Sequence, residues 1–296
     1  MMSLASRRIV LLFILILLTD HAKLSVGNPI QPATQDTGVA NIGSCHWVFK
    51  KTCPDINVRF YLYTGTHPDT PEELTLGEEG NWTGSSFDPT HPTKIIIHGF
   101  ASDMNLVHLV KIRTGYLSTG PHNIVAVDWS YYSKGPWFCY PVAVANIRHT
   151  GQCVAQLIEA LRGAGCEDIH LVGFSLGAHV PAFTANYMRP YQIPRITGLD
   201  PAMPLFESRS KDSKLDAGDA LFVDIVHTNA FMQGKFERCG HVDFYMNGGV
   251  SQPGCYSDGV LLVPSAIDIR GYYIVETSSQ SPYALGEWTG PLMPSS

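Results

Sequence analysis

From Lys94 onward, short apolar runs alternate with longer stretches in which apolar residues recur at helical spacing. The short runs are rich in β-branched residues and lack the polar alternation of a half-exposed strand, which is typical of strands buried on both faces. We interpret as strands the runs Ile95–His98, Ile124–Val127, Ile169–Val172, Ile196–Leu199 and Leu221–Val226. Apolar residues from Val144 to Leu161 predict a helix, which glycines at 163 and 165 end. Buried strands separated by helices predict one α/β domain with a mostly parallel central sheet flanked by helices.

The amino-terminal stretch follows a different pattern. Two arginines precede an unbroken apolar run, Ile9–Leu18, and small residues follow it. This order predicts a signal peptide over residues 1–27 and a secreted, extracellular protein. An uncleaved anchor is the alternative, although the run is short for a membrane span, and no later stretch suggests a transmembrane segment. We expect residues 28–44 to be a flexible lead-in to a domain over residues 45–296.

Composition narrows the classes of function. The chain has 296 residues, of which 45% are hydrophobic and 16% charged, so it can bury a sizeable core and is neither disordered nor a coiled coil. Lys and Arg number 20 against 26 Asp and Glu, a formal net charge of −6. This acidic balance argues against a nucleic acid as partner.

Because the chain is predicted to be secreted, its seven cysteines are candidates for disulfide bonds. They are Cys45, Cys53, Cys139, Cys153, Cys166, Cys239 and Cys255. Pairs that are close in sequence, Cys45 with Cys53 and Cys139 with Cys153, are plausible disulfides, and the odd count leaves at least one cysteine over. No histidine lies at zinc-finger spacing from them, so no metal site is predicted here. Asn81 begins an Asn-Trp-Thr sequence, and we expect it to be glycosylated in a surface loop.

The candidate chemistry lies at the strand ends. Gly173-Phe-Ser175-Leu-Gly177 follows the strand Ile169–Val172 directly and precedes a stretch of helical spacing. This G-x-S-x-G pattern in strand–turn–helix context predicts a nucleophile elbow, in which small neighbours let the strand and the helix close around an exposed serine. A plain tight turn is the alternative.

Two further strand ends could complete a serine-based site. Asp200 ends the run Ile196–Leu199 and follows the serine in the chain order expected of such hydrolases, although a carboxylate before proline is also a common turn former. His98-Gly99-Phe100 ends the first buried strand, so the N–H groups of Phe100 and Leu176 could form an oxyanion hole. The alternative for His98 is a structural histidine with satisfied hydrogen bonds.

Several ordered motifs together resemble the pancreatic lipase family of α/β-hydrolases. They are Ile96–Phe100, Val125–Trp129, His170–His179, Gly198–Ala202, Val223–Thr228 and Gly240–Tyr245 with Gln252–Cys255. The likeness is greatest to the insect secreted branch that includes phospholipase A1-type enzymes. The resemblance implies acyl-ester hydrolysis of glycerolipids, with Ser175 as nucleophile, Asp200 as triad acid, and Phe100 and Leu176 as oxyanion-hole residues.

The same resemblance bears on cofactors and partners. It implies no organic cofactor and a lipid substrate met at an aggregate or membrane surface. The segment containing Asp216 and Asp219 resembles one that holds a structural calcium ion in some members, although two carboxylates three residues apart are more often a solvated loop.

The chain departs from the family after Cys255. There the family has a lid, a second cysteine and then the catalytic histidine, whereas residues 256–269 contain neither cysteine nor histidine. We therefore expect a missing internal segment and no catalytic base. After Asp200 only His227 and His241 remain, in motifs where the family has a non-catalytic histidine. The predicted function is a secreted lipase or phospholipase A1 whose chemistry is impaired in this chain; the alternative is a non-catalytic, secreted lipid-binding homologue.

Overall fold

The computed structural model describes residues 38–77, 84–230, 233–250 and 252, and the backbone of 271–275. The strands are β1 (Val39–Ile42), β2 (Cys45–Val48), β3 (Arg59–Thr64), β4 (His67–Leu74), β5 (Thr93–Ile97), β6 (Asn123–Asp128), β7 (Ile169–Phe174), β8 (Ile193–Leu199), β9 (Ala220–His227), β10 (Val242–Met246) and β11 (Gly271–Val275). The helices are α1 (Val107–Thr119), α2 (Ser130–Ser133), α3 (Tyr140–Gly163) and α4 (Val180–Met188), together with short 3₁₀ turns.

The described strands form a large central sheet and a small hairpin. The order in the large sheet is β11-β10-β9-β8-β7-β5-β6-β3-β4, and all its pairings are parallel except those of β3 with β4 and β6. The five predicted runs are β5 to β9, and the predicted helix is α3. Parallel pairing places the carboxyl ends of β5 to β10 along one edge of the sheet, where the fold positions candidate chemistry.

Helices cover both faces of the sheet, as the apolar pattern predicted. On one face, α3 and α4 contribute residues such as Ile147, Leu157 and Phe183 to the larger core. On the other face, Leu109 and Ile112 of α1 pack in a second cluster against the strands. This arrangement confirms the predicted α/β-hydrolase architecture.

The amino-terminal boundary needs a correction. Residues 39–42, which the sequence analysis assigned to a flexible lead-in, form strand β1 and pair antiparallel with β2. The hairpin is held against α3 by Asn146, whose side-chain amide donates to the His46 carbonyl (2.7 Å) and accepts from the Val48 N–H (3.0 Å). A contact to a residue about a hundred positions away cannot be detected in the local pattern.

The predicted disulfides are wrong. Cys45 pairs with Cys139 and Cys53 pairs with Cys153, at sequence separations of 94 and 100. The hairpin and the segment after it lie beside the start and middle of α3, so the cysteines that meet are distant in sequence. Cys166 and Cys239 are buried and not in disulfides.

Several predictions fall on residues outside the described ranges. These are the signal peptide over 1–27, the glycosylation at Asn81, the partner of Cys255 and the atypical segment 256–269. Among the described residues, no helix combines the length and hydropathy needed to cross a membrane.

Candidate active site

Ser175 lies in a strained turn between β7 and the 3₁₀ turn that leads into α4. Its φ is +54°, in the left-handed region that a non-glycine residue seldom adopts. The residue is half-buried, and within the described ranges its hydroxyl has no hydrogen-bond partner. The strand–turn–helix context predicted for the nucleophile elbow is therefore present.

Close packing of the backbone explains the glycines two residues before and after Ser175. A Cβ on Gly173 would lie 2.5 Å from the Gly177 carbonyl oxygen and 2.6 Å from the Ala178 Cα. A Cβ on Gly177 would collide with the backbone carbonyl oxygen of His98. Because these obstacles are backbone atoms, no rotamer change could relieve them, and both positions require glycine.

The sheet pairing places Asp200 on the strand end next to the one that carries Ser175. Phe174 of β7 is paired with Leu199 of β8, so Ser175 and Asp200 continue adjacent strands at the same edge. Asp200 also has positive φ, +45°, and the Ala202 N–H donates to the Ser175 carbonyl oxygen (3.2 Å). The sheet thus brings together the two residues that the sequence analysis predicted to share a site.

The Asp200 carboxylate is buried and bound by backbone donors. Its Oδ1 accepts from the N–H groups of Thr228 and Asn229, both at 3.0 Å. Burial raises the pKa of Asp200 above its ordinary value, while these two donors and the nearby His227 oppose the rise. A Cβ on Gly234 would collide with the carboxylate, so the loop that encloses Asp200 needs glycine there. The sequence analysis did not identify these loop residues, because backbone donors leave no side-chain signal.

The loop after β5 lies directly against Ser175. A Cβ on Gly99 would lie 2.9 Å from the Ser175 Cβ and 3.3 Å from its Oγ. His98 is buried and holds the loop: its Nδ1 bonds to the Gly99 carbonyl (2.9 Å), and the Trp129 indole donates to the His98 carbonyl (2.8 Å). This confirms the structural alternative for His98. Leu176 follows Ser175 directly and Phe100 follows Gly99, and an oxyanion hole formed by their N–H groups stays a prediction.

His179, four residues beyond the serine, holds the segment after Asp200. Its Nε2 donates to the Ala202 carbonyl (2.9 Å), its Nδ1 accepts from the Leu215 N–H (3.1 Å), and its ring stacks on Phe206. Complete burial lowers its pKa to about 3, so it is neutral. Its position in the motif that contains Ser175 was the available signal, but its role as a clamp was not predicted.

Comparison with known proteins decides the family. A sequence profile of the Lipase family matches residues 26–278, most of the chain. This chain belongs to the lipase family. It is 35% identical over 228 residues to pancreatic lipase-related protein 2 of Bos taurus, and the match covers 74% of this chain and 47% of the relative. It is 38% identical over 205 residues to phospholipase A1 member A of Mus musculus, covering 68% and 43%.

The lipase-family chain spans about half the length of the curated relatives it matches. Among solved structures, a phospholipase/carboxylesterase from Dyadobacter fermentans matches with 14% identity and a TM-score of 0.39, over 51% of this chain and 74% of that one. The family assignment confirms the predicted resemblance, while the insect branch stays a prediction.

In this lipase-family site, His227 is close to Asp200 but is fully engaged. Its Nδ1 faces the Lys235 carbonyl (2.7 Å) and its Nε2 faces the Asp243 carboxylate (2.9 Å). Both ring nitrogens therefore have hydrogen-bond partners other than Ser175. The ring is buried and stacked on Tyr245. His227 is therefore a structural group and not a substitute base.

His241 lies at the wrong edge of the sheet. It precedes β10, whereas Ser175 follows β7, and parallel strands place these positions at opposite edges. Its Nδ1 accepts from the Val223 N–H (2.9 Å), and its ring stacks on Phe222. Of the histidines after Asp200, neither is placed to act on Ser175.

Asp216 and Asp219 form a reciprocal cap on a 3₁₀ turn. Asp216 Oδ1 accepts from the Gly218 N–H (2.7 Å), and Asp219 Oδ2 accepts from the Asp216 N–H (2.8 Å). Each carboxylate keeps a second oxygen, so the pair fits a cation only through those two atoms, and calcium here stays a prediction. Within the described ranges, the one three-residue group with metal-ligand spacing is Cys53, His149 and Cys153, and its two cysteines are in a disulfide.

Proposed function

We propose that this chain carries the site of a secreted carboxylic ester hydrolase that acts on glycerolipids, as a phospholipase A1 or a triacylglycerol lipase. In this proposal Ser175 is the nucleophile and Asp200 the triad acid. The N–H groups of Phe100 and Leu176 stabilise the oxyanion that forms when an ester carbonyl is attacked. The names of its relatives, pancreatic lipase-related protein 2 and phospholipase A1 member A, support the substrate class.

One observation carries the proposal. Ser175 has a positive φ in a turn whose flanking glycines are required by backbone contacts, and it stands beside a buried aspartate. A tight turn without a role does not need a strained serine with no hydrogen-bond partner among the described residues. The two disulfides support an oxidising, extracellular location.

The missing element is the base. A serine hydroxyl is a weak nucleophile until a histidine accepts its proton, and His227 and His241 are engaged elsewhere. Without one triad member, only a residual rate from the oxyanion hole and binding remains. We therefore expect an assembled site with slow acylation.

A fluorophosphonate probe followed by peptide mass spectrometry tests this proposal. We expect slow covalent labelling of Ser175, loss of labelling in Ser175→Ala, and normal labelling in Ser118→Ala, which removes an exposed helix hydroxyl. Phosphatidylcholine micelles and a triacylglycerol emulsion should show little turnover. Absence of any label on Ser175 would exclude an assembled elbow. Fast hydrolysis that Ser175→Ala abolishes would show that a base exists.

A second candidate is a secreted protein that binds lipid without hydrolysing it. The engagement of both downstream histidines favours it. A non-hydrolysable ether phospholipid separates the two functions. A lipid binder should hold it equally well in the wild type and in Ser175→Ala and release no product from ester lipids. Product release from ester lipids that depends on Ser175 would reject this candidate.

A further inference from the structure

Large hydrophobic side chains are exposed together in two short segments. They belong to the β1–β2 hairpin and to the turn before α3. Ile42 is 50% exposed, Trp47 41%, Phe49 50%, Trp137 68% and Phe138 48%. We call these five residues, of which all but Ile42 are aromatic, the aromatic patch. Exposed apolar surface of this kind marks an interaction site more often than an accident of packing.

Ile42 and Trp47 share one face of the hairpin, and a disulfide places the second segment beside that face. Ile42 pairs with Cys45 across the hairpin, and cross-strand partners lie on the same face. Trp47 is two residues beyond Cys45 and shares that face, and its ring contacts Phe49 at 5.9 Å between centroids. The Cys45–Cys139 disulfide fixes the segment Trp137–Cys139 beside this face.

The aromatic patch is tied to the edge of the sheet that carries Ser175. α2 follows the carboxyl end of β6, and the Ala101 N–H, in the loop beside Ser175, donates to the Ser133 carbonyl (2.9 Å). Tyr140 follows the disulfide cysteine directly, and its ring packs edge-on against Phe100 at 5.3 Å. A surface that approaches the patch therefore approaches the candidate site as well.

The local charge is opposite to that of the whole chain. Residues 38–56 and 130–139 contain Lys50, Lys51 and Lys134 and a single acidic residue, Asp55, whereas the chain has a net charge of −6. Lys51 forms an ion pair with the buried Asp55 (2.6 Å), and Lys134 forms one with Asp103 (2.7 Å), so three lysines stand against two aspartates and the local net charge is +1. The patch thus presents apolar side chains in a weakly basic region of an acidic chain.

We propose that the aromatic patch docks this protein on a glycerolipid aggregate with anionic headgroups. The inference rests on the proposed function, because a lipase must meet its substrate at such a surface. Indole and phenyl rings settle at the boundary between headgroups and acyl chains, and the lysines attract the headgroups. Docking there presents the Ser175 edge to the lipid.

Vesicle co-sedimentation tests the docking, with phosphatidylcholine vesicles that contain or lack phosphatidylglycerol. The double variant Trp47→Ser/Phe49→Ser should bind at least about tenfold more weakly than wild type. Phe138→Ser, in the second segment, should also bind more weakly. Wild type should prefer the anionic vesicles, and salt should reduce that preference. The matched control is Leu221→Ser, which removes a 57% exposed side chain at the opposite edge of the sheet.

Other outcomes would overturn the docking. Unchanged binding in both patch variants, or an equal loss in Leu221→Ser, would exclude the patch as the lipid contact. A wild-type dimer in sedimentation velocity that Trp47→Ser/Phe49→Ser dissociates would assign the patch to self-association. Phosphonate labelling of Ser175 in the absence of vesicles tests the esterase proposal separately from the docking proposal. Labelled Ser175 with patch-independent binding rejects only the docking, whereas patch-dependent binding with unlabelled Ser175 rejects only the esterase.

Discussion

At the scale of single residues, the candidate site depends mainly on glycines at positions where an added Cβ would collide with a neighbouring loop. Gly177 faces the His98 carbonyl, Gly99 faces Ser175, and Gly234 faces the Asp200 carboxylate. These contacts join the loop after β5 to the turn after β7, and the loop after β9 to Asp200 after β8. The Ala202 N–H, which donates to the Ser175 carbonyl, links the two pairs into one packed unit. The hydrogen bonds to Asp200 depend on this packing, since the backbone N–H groups reach its carboxylate only when the loops are close.

Gly177→Ala should disrupt this unit. The added methyl group meets backbone oxygen, so we expect a loss of about 3 kcal/mol in the free energy of unfolding and loss of phosphonate labelling at Ser175. Urea denaturation and mass spectrometry measure the two effects. Gly115→Ala is the control: nothing lies within 4 Å of its added Cβ in α1, so it should stabilise by about 1 kcal/mol. Equal behaviour of the two variants would contradict the packing argument.

His179 should make stability depend on pH. Burial lowers its pKa to about 3 from 6.5, so the native state stays neutral while the unfolded chain binds a proton as the pH falls below 6.5. Its contribution is complete above pH 6.5 and is lost progressively down to about pH 3.

We expect this single group to cost about 3 kcal/mol between pH 7 and pH 4. His179→Gln should be less stable at pH 7 but lose stability less steeply with acid, as urea denaturation across that range would show. His67→Gln, at an exposed position of β4, serves as the control and should keep the wild-type slope. A wild-type slope in His179→Gln would show that His179 is not the titrating group.

At the scale of elements, the amino-terminal hairpin is fastened to the body from two sides. Asn146 of α3 bonds to His46 and Val48 of β2, and the Cys45–Cys139 disulfide joins β2 to the turn before α3. Close contact of α3 with α4 depends on Gly151, where a Cβ would lie 2.7 Å from the Phe183 Cβ. α3 thus connects the hairpin with the helix that follows Ser175.

Removal of the Cys45–Cys139 disulfide should loosen the hairpin selectively. The bond closes a long loop, so Cys45→Ala/Cys139→Ala should lower the free energy of unfolding by about 3 kcal/mol. Hydrogen exchange at β1 and β2 should accelerate more than at β7. Cys166→Ala, which leaves both disulfides intact, is the control. Non-reducing peptide maps of the wild type should show Cys45–Cys139 and Cys53–Cys153; sequence-adjacent pairs would contradict the structure.

At the scale of the whole molecule, the parallel sheet sorts the histidines by function. Residues after the strands share an edge with Ser175, and residues before them lie at the far edge, which removes His241 from the site. His227 is at the correct edge, but its two ring nitrogens are hydrogen-bonded to the Lys235 carbonyl and the Asp243 carboxylate. The described part of the molecule therefore has a candidate nucleophile and a candidate acid, and neither histidine after Asp200 is placed to act as a base between them.

An added base should restore part of the chemistry. Imidazole can accept the Ser175 proton if it reaches the space between Ser175 and Asp200, so we expect it to accelerate the hydrolysis of a short-chain p-nitrophenyl ester. The acceleration should be absent in Ser175→Ala after subtraction of the solution reaction. Equal acceleration in both proteins, or fast Ser175-dependent hydrolysis without imidazole, would contradict the missing base.

The sequence by itself determined the central architecture and the candidate pair, because burial of β5 to β9 and the glycines around Ser175 leave a local trace in residue type and spacing. It also predicted the absence of a base, since no unassigned histidine follows Asp200. Only the tertiary structure decided the disulfide pairing, the hairpin and the backbone donors to Asp200. Those features depend on contacts between distant residues or on main-chain groups, which every residue carries and no sequence pattern distinguishes.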